Sequence, residues 1–226
     1  SPITLAAMLE KTVEMKMTYK IKLLVLSILC SMKVIGQNKI AITKLDVNKI
    51  PSEIRFSGKI KNAICWNDKV GKNIVLTSET GEFESKNSEN NGRDAEVYAY
   101  YYIILGNSTK LNWRIYDFIK DCPVDIEASF IENTLNVTDL NKNGIAEIWI
   151  MYKTVCHGDV SPCEMKIIMY EESKKFAMRG ENRVQLSKTE FVGGKYKFDK
   201  AFNEAPKEYR EYAKRLWKKN INQRWK

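Results

Sequence analysis

The sequence predicts a mainly β (α+β) fold: an antiparallel β meander followed by one C-terminal amphipathic helix. Three observations carry this. Short runs rich in aromatic and β-branched residues recur through the centre of the chain; residues 95–105 are the densest, with Val97, Tyr98, Tyr100, Tyr101, Tyr102, Ile103 and Ile104. Turn signals separate these runs at short intervals, as hairpins require and alternating βαβ units do not. Only near the end does the period change: Tyr209, Tyr212, Ala213, Leu216 and Trp217 fall at i, i+3, i+4, i+7 and i+8.

Taken in order, residues 54–64 read as a strand leading into a turn at 66–71. Residues 73–80, with Ile74, Val75, Leu76 and Thr77, form a short β run. A polar stretch at 85–93, with Asn90-Asn91-Gly92, reads as a loop before the aromatic strand 95–105. Residues 106–109 turn the chain, and Leu111, Trp113 and Ile115 alternate with polar residues as a hairpin partner would. Further strands are expected at 125–131, 135–138, 147–153, 164–171 and 175–179. The helix is expected over 205–220, with Pro206 suited to its first turn.

The chain has 226 residues, 44% of them hydrophobic, enough to bury a core and too apolar for intrinsic disorder. Its N-terminus reads as a secretory leader. Lys20 and Lys22 give a basic start after Met17, residues 23–30 are apolar apart from Ser27, and Val34 and Gly36 occupy −3 and −1 of a cut before Gln37. Residues 17–36 are thus an expected signal peptide and 1–16 an upstream extension, leaving 37–226 as one mature β-rich domain. The apolar run is far shorter than the roughly 20 residues of a membrane span. Export places the protein in the periplasm, at the cell surface or outside the cell. Leader removal changes the net charge from +9 to +6, and +7 of charge lies within residues 195–226, the remainder being −1. Five cysteines become four: Cys65, Cys122, Cys156 and Cys163. In an oxidising compartment these allow three pairings.

Residues 139–147, Asp-Leu-Asn-Lys-Asn-Gly-Ile-Ala-Glu, lie between two expected strands. Asp139, Asn141 and Asn143 at positions 1, 3 and 5, Gly144 at 6, the Ile145 carbonyl at 7 and Glu147 at 9 match a calcium-loop spacing. The bidentate Glu of an EF-hand is absent, since position 12 is Ile150. Only two ligands carry charge, so weak calcium binding is expected; the competing reading is a hairpin turned by Asn143-Gly144 and capped by Asp139. Asp117, Asp121 and Asp125 could supply paired carboxylates for glycoside hydrolysis, or simply cap turns. His157 follows Cys156, but neighbours on a strand point apart, so thiol catalysis is not expected. The basic helix suits an anionic partner or a solvated face, and export argues against nucleic acid.

Several stretches together resemble a family of exported bacteroidete proteins known as surface polysaccharide biosynthesis proteins. They are residues 137–147 and 151–156, Gly158-Asp-Val-Ser-Pro162, Met165-Lys166, residues 175–180, Tyr116-Asp-Phe118 with Asp121-Cys122, and Ala205-Pro-Lys207 ahead of residues 212–217. The resemblance spans most of residues 54–220 and includes no catalytic motif. It implies a cell-envelope protein that supports polysaccharide biosynthesis or display, by holding glycan or an assembly partner. The alternatives are a glycan-acting enzyme using an Asp/Glu pair and a purely structural calcium-stabilised module. The resemblance also implies a Cys122–Cys156 pair, leaving Cys65 and Cys163 for a second bridge. The 139–147 loop is also similar to the Asp-rich turns of integrin-type propeller blades, but it occurs once.

Overall fold

The computed structural model describes residues 40–86, 88 and 91–222. The expected extension and signal peptide lie outside the described residues. The chain divides into two units after Gln37, and the described residues belong to the second. Its first sheet is a meander of β1 (Thr43–Lys44), β2 (Lys59–Asp68), β3 (Gly71–Glu84), β4 (Arg93–Leu105) and β5 (Ser108–Cys122), each antiparallel to the next. There follow β6 (Ile126–Phe130), β7 (Asn136–Thr138), β8 (Glu147–Cys156), β9 (Glu164–Glu171) and β10 (Lys174–Glu181). After these come β11 (Arg183–Gln185), β12 (Phe191–Gly193) and β13 (Tyr196–Phe198). The second sheet runs β13-β10-β9-β8-β6, with β7 paired to the start of β8. Strands β11 and β12 make a separate ribbon.

The sheets stack face to face. Trp66, Val75, Val97, Tyr101, Trp113 and Ile115 of the first sheet share one apolar cluster with Ile148, Ile150, Tyr152, Ile168 and Tyr170 of the second. The other face of the second sheet presents Trp149, Met151, Ile167, Phe176 and Met178 to a helical layer. That layer is a short helix, Lys200–Asn203, and the C-terminal helix, Lys207–Asn220, which buries Tyr209, Ala213 and Trp217. Covered on both faces, β8 is buried at every residue from Glu147 to Val155, so its apolar run is almost continuous. The edge strand β5, covered on one face, alternates instead.

The structure shifts several expected boundaries. Strand β2 begins at Lys59 and continues through Trp66 to Asp68, so the turn is only Lys69-Val70. Asp68 makes this tight turn possible: its Oδ1 accepts the Val70 and Gly71 N–H groups at 2.8 and 3.3 Å. Residues 54–58 are not a strand. They cross the outer face of the first sheet, where Ile54 is buried among Ala63, Ile74, Leu76, Tyr100 and Tyr102.

The Cys122 and Cys156 sulfurs are bonded, joining the end of β5 to the end of β8 and so one sheet to the other. Cys65 and Cys163 are not bridged, which corrects the second expected pairing. Their placement explains this. Cys65 packs with the outer-face cluster of the first sheet, turned away from the second, while Cys163 is buried just before β9 of the second sheet.

Candidate functional site

Two surfaces combine aromatic and polar groups. The first follows from the pleat of β4 and β5. Tyr98, Tyr100 and Tyr102 alternate onto the outer face of β4, and Tyr98 pairs directly with Tyr116 of β5. Their rings form a row. Tyr102 to Tyr100, Tyr100 to Tyr98, Tyr98 to Tyr116 and Tyr116 to Phe118 are stacked with centroids 6.5, 6.0, 5.0 and 5.2 Å apart. One half of the row is covered. Tyr100 and Tyr102 are 4% and 5% exposed, and the crossing segment holds their hydroxyls through the Ser57 N–H and the Arg55 carbonyl. The other half is open, with Tyr116 40% and Phe118 45% exposed.

Polar groups frame the open half. The Tyr98 and Tyr116 hydroxyls both donate to the Glu96 carboxylate. Burial, reinforced by these bonds, raises both phenols above their ordinary pKa, so they remain proton donors. Arg114 lies over the Tyr116 ring at 6.0 Å and Lys120 over the Phe118 ring at 5.4 Å. Exposed rings flanked by donors and cations can stack on the C–H face of a sugar while bonding its hydroxyls.

The second surface is a groove of about 380 Å³ between residues 133–136 and the C-terminal helix. Tyr212, Arg215 and Lys219 form its helical wall, and Asn133 and Asn136 stand opposite. Among the described residues, none that lines it is acidic.

The calcium-like loop joins β7 to β8, and Asx turns shape it. Asp139 Oδ2 accepts the Gly144 N–H at 3.1 Å, Asn141 Oδ1 the Asn143 N–H at 3.0 Å, and Asn143 Oδ1 the Ile145 N–H at 2.7 Å. Each of these side-chain oxygens keeps a lone pair. Asp139 Oδ1 is buried without a hydrogen-bond partner among the described residues, which fits a cation ligand. Glu147 fits less well. It is fully buried, and its two oxygens take the Thr138 hydroxyl and the Leu140 and Asn141 N–H groups. Burial pushes its carboxyl pKa up, against the pull of those bonds. The Asn141 and Asn143 amides both donate to Glu171 of β9 at 2.7 Å, and Tyr209 of the helix donates there at 3.0 Å. From the first sheet, the Lys69 ammonium bonds the Asn143 carbonyl, and Asp68 Oδ2 accepts the Ala146 N–H at 3.1 Å. The loop therefore ties both sheets and the helix together. With a calcium ion, Asp139, Asn141, Asn143 and the Ile145 carbonyl would hold it; the ion would supply a rigid crosslink.

The three aspartates proposed as a carboxylate set are held separately. Asp117 accepts from Tyr152 at 2.8 Å and Lys166 at 2.6 Å between the sheets. The Asp121 N–H bonds Asp94, and the Asp125 carbonyl accepts the His157 N–H. The aromatic row was partly legible, since period-2 alternation places Tyr98, Tyr100 and Tyr102 on one face. Its exposure depends on which strand lies at the edge, and no local signal shows that. No family model, no curated protein and no solved structure matches the chain.

Proposed function

We propose that this is an exported cell-envelope protein that supports surface-polysaccharide biosynthesis or display by binding glycan without transforming it. The observation that carries this reading is the open half of the aromatic row, Tyr98, Tyr116 and Phe118, on an edge of the first sheet. Exposed clustered rings along an open strand face suit the extended apolar face of a polysaccharide better than a closed small-molecule pocket. The sequence resemblance to surface polysaccharide biosynthesis proteins supports the cellular setting. The test is affinity electrophoresis of the protein through gels containing purified surface polysaccharides. Wild type is retarded by at least one of them. Each exposed ring contributes about 1 kcal/mol, so a Tyr116→Ala/Phe118→Ala variant binds about thirtyfold more weakly. Equal retardation of the folded double variant, or no retardation by any polysaccharide, rejects the reading.

A second reading, a calcium-stabilised structural module, is favoured by the buried, unpartnered Asp139 Oδ1. It concerns a different part of the molecule and is compatible with the first.

A further inference from the structure

From the groove beside the C-terminal helix we infer a second saccharide site, selective for a sugar that carries a carboxylate. The inference rests on the glycan reading for its ligand class and adds a location and a charge. The groove is concave, and its volume of about 380 Å³ lies within the range of small-ligand sites, about 300–1,000 Å³.

Its chemistry is one-sided. Arg215 and Lys219 are one helical turn apart and both exposed, and neither forms an ion pair among the described residues. The neighbouring acid on the helix, Glu211, is engaged by Lys214 at 3.0 Å. Among the described residues, the groove therefore offers two cations and no anion. The Arg215 guanidinium lies over the Tyr212 ring at 5.7 Å, which orients its planar fork. A fork of that kind matches a carboxylate through two parallel hydrogen bonds.

The remaining lining suits a sugar body more than a bare anion. The Asn136 amide donates to the Tyr212 oxygen, which leaves the Tyr212 proton available to an outside acceptor. Asn133 adds a second amide at the opposite wall, its backbone in the left-handed region at φ 59°. Leu135 and Leu216 add apolar lining that suits a ring's C–H face. An inorganic anion would use the two cations and leave the amides and leucines without a role.

The experiment is an NMR titration of ¹⁵N-labelled full-length protein with D-glucuronate, with D-glucose and inorganic phosphate as separate arms. Glucuronate is expected to shift amide signals of residues 133–136 and 212–219, and the Arg215→Gln variant is expected to bind it at least tenfold more weakly while keeping its melting temperature. Glucose and phosphate are each expected to bind the groove at least tenfold more weakly than glucuronate. Phosphate binding equal to glucuronate would mean a general anion site and overturn the inference, as would glucuronate shifts that persist in Arg215→Gln or are absent from the groove. Should Arg215→Gln lose stability, Lys219→Gln replaces it under the same criteria. Loss of polysaccharide retardation in Tyr116→Ala/Phe118→Ala reports on the aromatic row alone, so the two readings fail separately.

Discussion

The side chain of Lys69, in the β2–β3 turn, lies directly over Gly144 in the β7–β8 loop. A β-carbon on Gly144 would stand 2.7 Å from Lys69 Cε, and the Gly144 backbone is at φ +82°. The left-handed backbone is what selects glycine here; the Lys69 side chain, flexible at that end, would have to move aside for an added β-carbon.

Gly144→Ala is expected to destabilise the protein by about 1–3 kcal/mol. Lys69→Ala removes the contact but not the backbone strain, so the double variant recovers only part of the loss. Urea denaturation of the four proteins in a double-mutant cycle measures both parts. Full additivity would show that the contact has no energetic weight.

Calcium should raise the melting temperature if the loop holds the ion. For a dissociation constant near 1 mM, 10 mM calcium stabilises by about 1.4 kcal/mol, or about 3–5 °C in a protein of this size. Chelator reverses the shift and Asp139→Ala abolishes it. An unchanged wild-type melting temperature, or an equal shift in Asp139→Ala, rejects the calcium reading.

Asp117 links stability to pH. Burial alone would raise its pKa, but the bonds from Lys166 and Tyr152 outweigh this and hold the carboxyl below its ordinary value of 3.8. A carboxylate with a lowered folded pKa contributes stability that is present above the unfolded value and lost as pH falls through the folded one. Wild type should therefore lose stability as pH falls below about 4. Asp117→Asn should be about 1.5–3 kcal/mol less stable at neutral pH and should show a shallower acid limb. Chemical denaturation across pH 2–7 reads both, and parallel acid limbs would exclude Asp117 as the source.

The cysteines make a separate, direct prediction. Alkylation of denatured, unreduced protein should label Cys65 and Cys163 and leave Cys122 and Cys156 unmodified, as read by peptide mass spectrometry. Four labelled thiols would show that the bridge does not form. Cys122→Ser/Cys156→Ser should cost about 3–4 kcal/mol for a closed loop of this length.

What the sequence reveals follows from how local each determinant is. Strand β4 and the C-terminal helix are legible because their periodicity sits in contiguous residues. The short helix Lys200–Asn203 is not: it is about one turn long, and its main signal is the Asp199 cap that accepts the Phe202 N–H. The ribbon β11–β12 is likewise too short for alternation to register. The 139–147 loop is readable as a motif, yet its spacing cannot show that Glu147 turns to the Leu140 and Asn141 amides. The rest of the loop is held by Glu171, Tyr209, Asp68 and Lys69, which arrive from distant parts of the chain. The groove is the least legible feature, since its walls lie about 80 residues apart and only its helical wall, Tyr212, Arg215, Leu216 and Lys219, shares a local spacing.

The Cys122–Cys156 bridge also sets how the protein responds to mechanical load. The two cysteines are 34 positions apart, a span that could extend by about 115 Å if unbridged. A force applied through the chain termini bypasses that segment for as long as the bridge is intact, so β6, β7 and the loop at Asp139 carry no tension along their backbone. Under such a load the chain would yield outside residues 122–156, in the first sheet, in β9, β10 or β13, or in the helical layer, while the segment behind the bridge stays slack.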